Sequence, residues 1–245
     1  AILNPQNLSI ASWVNIGPGE GGTILGKNGN WSNSYQYYLR TLNEKPGFGV
    51  SNDGSYGSFL ELFDDSIVLG DNSWHHVVGT FDGKTSRLYI DGQLSAQEES
   101  VGEGISVVDV NAYIGRYRIE EGVGSFFFDG DMDNVSLWSR ELTELEVQSL
   151  MAGDPLGNES GLIGLYKFDS GSETTLYDYS GNQNHGIING DPLLLTRIYG
   201  CADIHACNYN ESATHNDDCE YSCHDNGNYA LKFDGYNDYV EIGDI

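Results

Sequence analysis

The sequence predicts an all-β protein, an antiparallel β-sandwich with one short helix and a small cysteine-rich insert. Three observations carry this. Short runs alternate apolar and polar side chains, the period-two pattern of strands with one buried face. Between them lie glycine, asparagine and aspartate turns, with Gly 32 and Tyr 16 against Pro 5, a composition of tight turns and strand formers. Helical spacing behind a capping residue stands out at one place, LTELEVQSLM.

In chain order, LSIASWVNI sets Ile10, Ser12 and Val14 on one face and Ala11, Trp13 and Asn15 on the other. PGEGG closes that strand, TILGK is the next, and NGNWSNS is a polar loop. YQYYLRTL sets Tyr35, Tyr37 and Leu39 against Gln36, Tyr38 and Arg40. PGFGVSNDGSYGSFLELF reads as a hairpin. After the acidic loop DDSIVLGDN come two strands joined at Asp82-Gly83, with a second turn at Asp91-Gly92. VNAYIGRYR is a strand with Ala112 and Ile114 inward, and FFFDGDMDNVSLWSREL reads as strand, acidic loop and strand. In the helix, Leu142, Leu145, Val147 and Leu150 form the apolar stripe and Thr143 the cap. GLIGLYKFD and the loop DYSGNQNHGIING follow, and composition changes at LLLTRIYGCAD. The final stretch, NYALKFDGYNDYVEIGDI, alternates at Leu231 and Phe233, turns at Asp234-Gly235, and resumes at Tyr239, Val240 and Ile242. It reads as a hairpin.

Lys+Arg 11 against Asp+Glu 37 gives a net charge of −26, whereas a small soluble domain is comfortable at a magnitude of about 2 to 8. Such a surface is a poor partner for nucleic acid or anionic membrane, and no apolar run reaches the roughly 18 residues of a bilayer span. The opening AILNPQNLS has neither the basic start nor the apolar middle of a secretory leader. The excess acid fits either a generally acidic surface or carboxylate clusters neutralised by Ca2+, a hard cation that takes oxygen ligands. Cys201, Cys207, Cys219 and Cys223 fall in one short segment, which suits a disulfide-stapled insert in an oxidising, extracellular setting, with every pairing open. Zinc competes, but paired C-x-x-C knuckles are missing and the neighbours are acidic oxygens. Catalysis is not expected. A glycosidase of sandwich shape sets two carboxylates on one strand face, while Glu61 and Asp64 of ELFDD fall on opposite faces. Neither G-x-S-x-G nor H-E-x-x-H is present.

The pattern A-L-x-F-D-G-x-x-D-Y-V near the C-terminus resembles the first hairpin of laminin-G-like modules of the concanavalin A-like lectin, or pentraxin-type, jelly roll. SWHHVVGTFDGKTSRLYIDG, NAYIGR and FDGDMDNVSLWSREL with the helix resemble the second half of the same module. GCADIHACNYNESATHNDDCEYSC is similar to a short cysteine- and acid-rich repeat of large secreted bacterial surface proteins, although Asp218 meets Cys219 directly where the repeat ends D-D-G-S-C. The resemblance implies a concanavalin A-like sandwich over residues 1–198, the insert over 199–226, and the first hairpin of a sandwich over 227–245. The order is a circular permutation of the usual module. It implies a calcium-stabilised, non-enzymatic repeat of an extracellular structural or adhesive protein. The terminal hairpin then either completes its own sheets or is donated to a neighbouring copy, giving head-to-tail filaments. The alternative is a carbohydrate-binding lectin module taking extracellular glycans.

Candidate sites each have a bland counterpart. Asp129, Asp131 and Asp133 alternate, which places several oxygens on one side for calcium or makes a solvated acidic turn. The family resemblance adds Asp234 and Asp238 to them. Asp178, Asn182 and Asn184 surround a glycine and can cage a cation or cap their own turn. Asp203, Asn208, Asn210, Asp217 and Asp218 lie in an insert too small for a core, which needs staples, metal or both. Trp31, Tyr38, Arg40, Arg116, Tyr117 and Arg118 offer apolar planes and forked donors to a sugar, or they pack across strands. His75 and His76, adjacent on a strand, face opposite ways and read as structural.

Overall fold

The computed structural model describes residues 5–29, 34–55, 58–100, 102–117, 126–168, 171–172, 174–190, 192–196, 199–200, 215–216 and 229–242. The strands are β1 (Leu8–Asn15), β2 (Gly22–Asn28), β3 (Tyr35–Leu42), β4 (Lys45–Ser51), β5 (Phe59–Phe63), β6 (Trp74–Phe81), β7 (Thr85–Ile90), β8 (Gln93–Glu99), β9 (Ala112–Ile114) and β10 (Asp129–Trp138). After helix α1 (Glu144–Ala152) come β11 (Leu162–Tyr166), β12 (Gly171–Ser172), β13 (Thr175–Leu176), β14 (Gly186–Asn189), β15 (Leu193–Thr196), β16 (Tyr199–Gly200), β17 (His215–Asn216), β18 (Tyr229–Asp234) and β19 (Tyr239–Ile242).

Two antiparallel sheets form the sandwich. The eight-stranded sheet runs β15-β18-β10-β1-β6-β7-β8, with β11 also on β10, and the nine-stranded sheet runs β12-β13-β14-β19-β9-β2-β3-β4-β5. Alternation decides which side chains meet between them. Ile10 and Val14 from β1, Tyr37 and Leu39 from β3, Phe48 and Val50 from β4, Ile114 from β9 and Phe233 from β18 share one buried core. Each fully buried aliphatic or aromatic side chain there contributes roughly 1.5–3 kcal/mol.

The last strands are where the structure departs most from local reading. β18 and β19 do not pair with each other. β18 joins the eight-stranded sheet between β15 and β10, and β19 joins the nine-stranded sheet between β14 and β9. Gly235 carries the chain from one sheet to the other with φ of 76°, and a Cβ there would lie 2.7 Å from that of Asp129. The stretch expected as a hairpin is therefore a corner between sheets, and both of its strands are internal to this chain's own sandwich. Leu231, Phe233, Val240 and Ile242 bring it into the core.

Two further local expectations are corrected. FDGDMDN is continuous strand, not a loop between strands: β10 pairs with β1 from Asp131↔Asn15 to Trp138↔Ser9, with a bulge where Asn134 takes φ of 49°. The extra residue lets Met132 and Val135 both reach the core. In α1, Thr143 is the expected cap, and it forms a capping box with Glu146. Val147 is buried and Leu150 half-buried, but Leu145 is 75% exposed. Two residues turn a helix about 200°, so Leu145 cannot share a face with Val147. The helix covers Ala11, Val78, Tyr89 and Trp138 on the outward face of the eight-stranded sheet. Cys201, Cys207, Cys219 and Cys223, and with them the insert's pairing, lie outside the described residues.

Candidate functional site

The outward face of the nine-stranded sheet carries the most developed constellation. Because Tyr37 and Leu39 point into the core, Tyr38 and Arg40 point out. Across β4 they meet glycine, with Tyr38 opposite Gly49 and Arg40 opposite Gly47. These glycines make room for the next strand's rings. A Cβ on Gly49 would sit 2.5 Å from Phe59 and one on Gly47 2.3 Å from Phe63. Phe59, Glu61 and Phe63 alternate along β5 with Leu60 and Leu62, which pack toward the core. The FLELF run thus presents a carboxylate between two rings.

Arg40 lies at the centre of this box. Its guanidinium carbon is 4.5 Å from the Tyr38 ring centroid, 5.2 Å from Phe63, and 5.7 Å from both Tyr117 and Phe126. Arg40 Nη2 and Tyr38 Oη both donate to Glu61 Oε1. Arg40 Nε is buried with no hydrogen-bond partner. The Arg40 side chain is 9% exposed and that of Glu61 29%, while Phe126 at the rim is 40% exposed. The carboxylate is the half of the pair that solvent reaches.

A second box lies on the same face. The Arg116 guanidinium is 4.7 Å from Tyr239, 5.5 Å from Phe127 and 5.6 Å from Tyr113. Gly26 on β2 lies in register between Tyr113 and Tyr38, so the strand between the boxes has no side chain at that point. Of the six residues expected for a sugar, Tyr38, Arg40, Arg116 and Tyr117 are gathered here, and Trp31 and Arg118 lie outside the described residues. Tyr38, Arg40, Arg116 and Tyr117 are themselves largely buried. Their open rim is Phe59, Glu61, Phe63 and Phe126, none of which was a candidate. The alternation in FLELF is the signal that could have found three of them.

The carboxylates expected for calcium separate into two groups. Asp178 is 7% exposed, and protein donors occupy both of its oxygens. Oδ1 accepts from the N–H groups of Leu165 and Ser180, Oδ2 from Ser180 Oγ and the Asn184 N–H, all at 2.8–3.0 Å. Asn182 and Asn184 turn their amides to the carbonyls of Leu162 and Ile163. At the junction of β10 with β18, Asp129 stands opposite Asp234. Burial, Glu20 and Asp234 together raise the Asp129 carboxyl above the usual range. Lys232 Nζ lies 3.8 Å from Asp131 Oδ1. Asp133 is buried and accepts from the Asn134 N–H, Asp234 Oδ1 caps the turn at Tyr236, and Asp238 Oδ2 accepts from the Asp234 N–H. Among the described residues, no group of three or more His, Cys, Asp or Glu side chains converges closely enough to hold a metal ion. Asp203, Asn208, Asn210, Asp217 and Asp218 lie outside the described residues.

The histidines face apart, as alternation requires. His75 lies between Asp91 Oδ2 at 2.8 Å and Asp71 Oδ1 at 3.2 Å, and the hydrogen bond to Asp91 raises its pKa. His76 is buried against Trp13 at 5.1 Å with Nδ1 unpartnered, and burial lowers its pKa to about 4. A shallow pocket of 190 Å³ beside α1 is lined by Trp138, Arg140 and Glu146. Its Arg140 forks onto Glu146 at 2.7 and 2.9 Å, a contact that ties the helix to β10.

The two-sheet antiparallel sandwich is that of a concanavalin A-like jelly roll. The chain belongs to the Concanavalin A-like lectin/glucanases superfamily, whose laminin-G family model matches residues 1–148. Among solved structures it is similar to a Bacteroides ovatus protein whose assignment to carbohydrate binding is provisional, at 22% identity and a TM-score of 0.58, over 74% of this chain and 51% of that one. The chain thus spans about half the length of that relative. It is also similar to a carbohydrate-binding module of a Ruminococcus gnavus sialidase bound to α2,3 sialyllactose, at 19% identity and a TM-score of 0.49 over 61% and 84% of the two chains. A heptameric pentraxin from Limulus polyphemus matches at 18% identity and a TM-score of 0.45 over 60% and 70%. At these identities the likeness concerns the fold. No curated protein matches the chain significantly.

Proposed function

We propose that this chain is a non-catalytic carbohydrate-binding module of an extracellular protein, with the outward face of the nine-stranded sheet as its binding surface. The observation that carries this reading is the Arg40–Glu61 pair framed by Phe59, Phe63 and Phe126. Ring faces supply apolar area for sugar C–H groups, and a charged pair between them supplies oriented donors and acceptors. Glycan-array binding that disappears in Phe126→Ala, with an unchanged thermal melt, supports the reading. A wild-type chain that binds no glycan on a broad array sinks it.

The second reading is a calcium-stabilised structural or adhesive repeat that assembles head-to-tail. Its support is the carboxylate repulsion among Asp129, Asp234 and Glu20, which a divalent cation relieves if the side chains rearrange toward one another. Strand donation requires β18 and β19 to leave interior positions in both sheets for another copy's. Light scattering in millimolar calcium tests it: a concentration-dependent ladder abolished by deleting residues 228–245 favours assembly, and a monomer removes it. Among the described residues no helix is long and apolar enough to cross a membrane.

A further inference from the structure

We infer that the face built on Arg40 and Glu61 reads neutral, hydroxyl-rich sugars and discriminates against anionic ones. The inference rests on the binding-module reading and adds the ligand class to it. An arginine on a sugar-binding face would ordinarily suggest recognition of a carboxylate or sulfate, because its planar fork matches such groups. Here one arm of that fork is already engaged and the guanidinium plane is enclosed by rings. Arg40 Nη2 donates to Glu61 Oε1, and the guanidinium lies within 4.5–5.7 Å of four ring centroids. The pair is therefore neutral as a unit.

Exposure decides which half a ligand meets. The Glu61 side chain is 29% exposed against 9% for Arg40, so an incoming anion encounters the carboxylate before the guanidinium. Both internal hydrogen bonds to this carboxylate fall on Oε1. Oε2 makes none among the described residues, and an ionised carboxylate oxygen accepts strongly from hydroxyl groups. Arg40 Nε, by contrast, is buried beneath the rings, so the carboxylate oxygen is the polar atom of the pair that a ligand meets. A free carboxylate oxygen bordered by Phe59, Phe63 and Phe126 matches the donating hydroxyls of an uncharged pyranose. The chain's net charge of −26 acts in the same direction at longer range.

Isothermal titration of the full chain tests this with three sets of hexasaccharides: neutral hexoses, galacturonate, and glucosamine. The expected result is binding of at least one neutral set, insensitive to salt, and no binding of galacturonate. Glu61→Gln keeps the shape, removes the charged acceptor, and should weaken the neutral ligand by about tenfold, with a lowered melting temperature that still leaves the chain folded at the titration temperature. Galacturonate binding tighter than any neutral set overturns the inference while leaving the binding-module reading standing. Tight, salt-sensitive glucosamine binding also overturns it, because Glu61 is then acting as a counter-charge. Neutral binding that Glu61→Gln leaves unchanged shows that this pair is not the reader, and the inference fails. No binding by any set means that the underlying reading has failed.

Discussion

Two acidic regions of this molecule share residue types and little else. In the loop at Asp178 the carboxylate accepts four hydrogen bonds from backbone and serine donors within its own fold. At the β10–β18 junction Asp129 faces Asp234 and Glu20, and burial adds to their repulsion. Both regions are short acids beside glycine in the sequence. The difference is the supply of N–H groups: a curled loop points them inward at one carboxylate, while strand pairing commits them to carbonyls on the neighbouring strand. A carboxylate in a loop of the first kind is a structural part. One on a strand face of the second kind is an electrostatic liability unless a cation joins it.

The largest effect should come from removing the satisfied carboxylate. Asp178→Ala leaves the N–H groups of Leu165, Ser180 and Asn184 without their acceptor, and two of those three bonds are buried. A loss of about 3–5 kcal/mol is expected in urea unfolding, equal with calcium and with chelator. A loss that appears only in calcium would break the comparison by making this loop a metal site.

His76 sharpens the comparison by showing burial without compensation. Its folded pKa of about 4 lies below the ordinary histidine value of 6.5, so the neutral form is the one that folds. Its contribution is intact above pH 6.5 and is lost as pH falls toward 4, by about 3 kcal/mol in all. His76→Phe, which keeps a ring against Trp13, should flatten the stability profile between those limits. An unchanged slope would show that His76 is not buried as placed.

His75 gives the opposite sign. Its pKa is raised by Asp91 and Asp71, so its stabilisation is present below pH 6.5 and fades as pH rises through the raised value. In His75→Gln, stability should depend less on pH above about 6.5, read from melting temperatures at successively higher pH. A steeper profile would contradict the pairing.

The smallest effect concerns the repelling carboxylate. Asp129→Asn should stabilise the protein at neutral pH by less than about 1 kcal/mol, since solvent screens much of the repulsion. If calcium binds there, the same substitution abolishes any calcium-induced rise in melting temperature. A destabilised variant in chelator would mean that the charge of Asp129 is stabilising, and the contrast with Asp178 would collapse.

Much of the fold was legible because its causes are local. Alternation in LSIASWVNI, YQYYLRTL and VNAYIGRYR groups Ile10 with Val14, Tyr37 with Leu39 and Ala112 with Ile114, all of which reach the core, whereas Tyr35, grouped with Tyr37 and Leu39, packs with Tyr38 and Tyr117. Thr143 and Glu146 announce the helix start by the capping box they form. Half of the candidate site was legible too, since Tyr38 and Arg40 lie on the alternate face of a strand whose inward residues are plain. Glu61 was not, because its role depends on β5 pairing with β4 at two glycines that let Phe59 and Phe63 fold over the strand.

By itself the sequence determined most of the strand segments, the helix and the alternation along them, because side-chain period and backbone chirality act over a few residues. Only the tertiary structure decided that the two final strands part into different sheets, that Asp129 meets Asp234, and that Arg40 is answered by Glu61. Register between distant strands is set by the simultaneous packing of both sheets on one core. That free energy belongs to the assembled sandwich and leaves no periodic mark on any one segment.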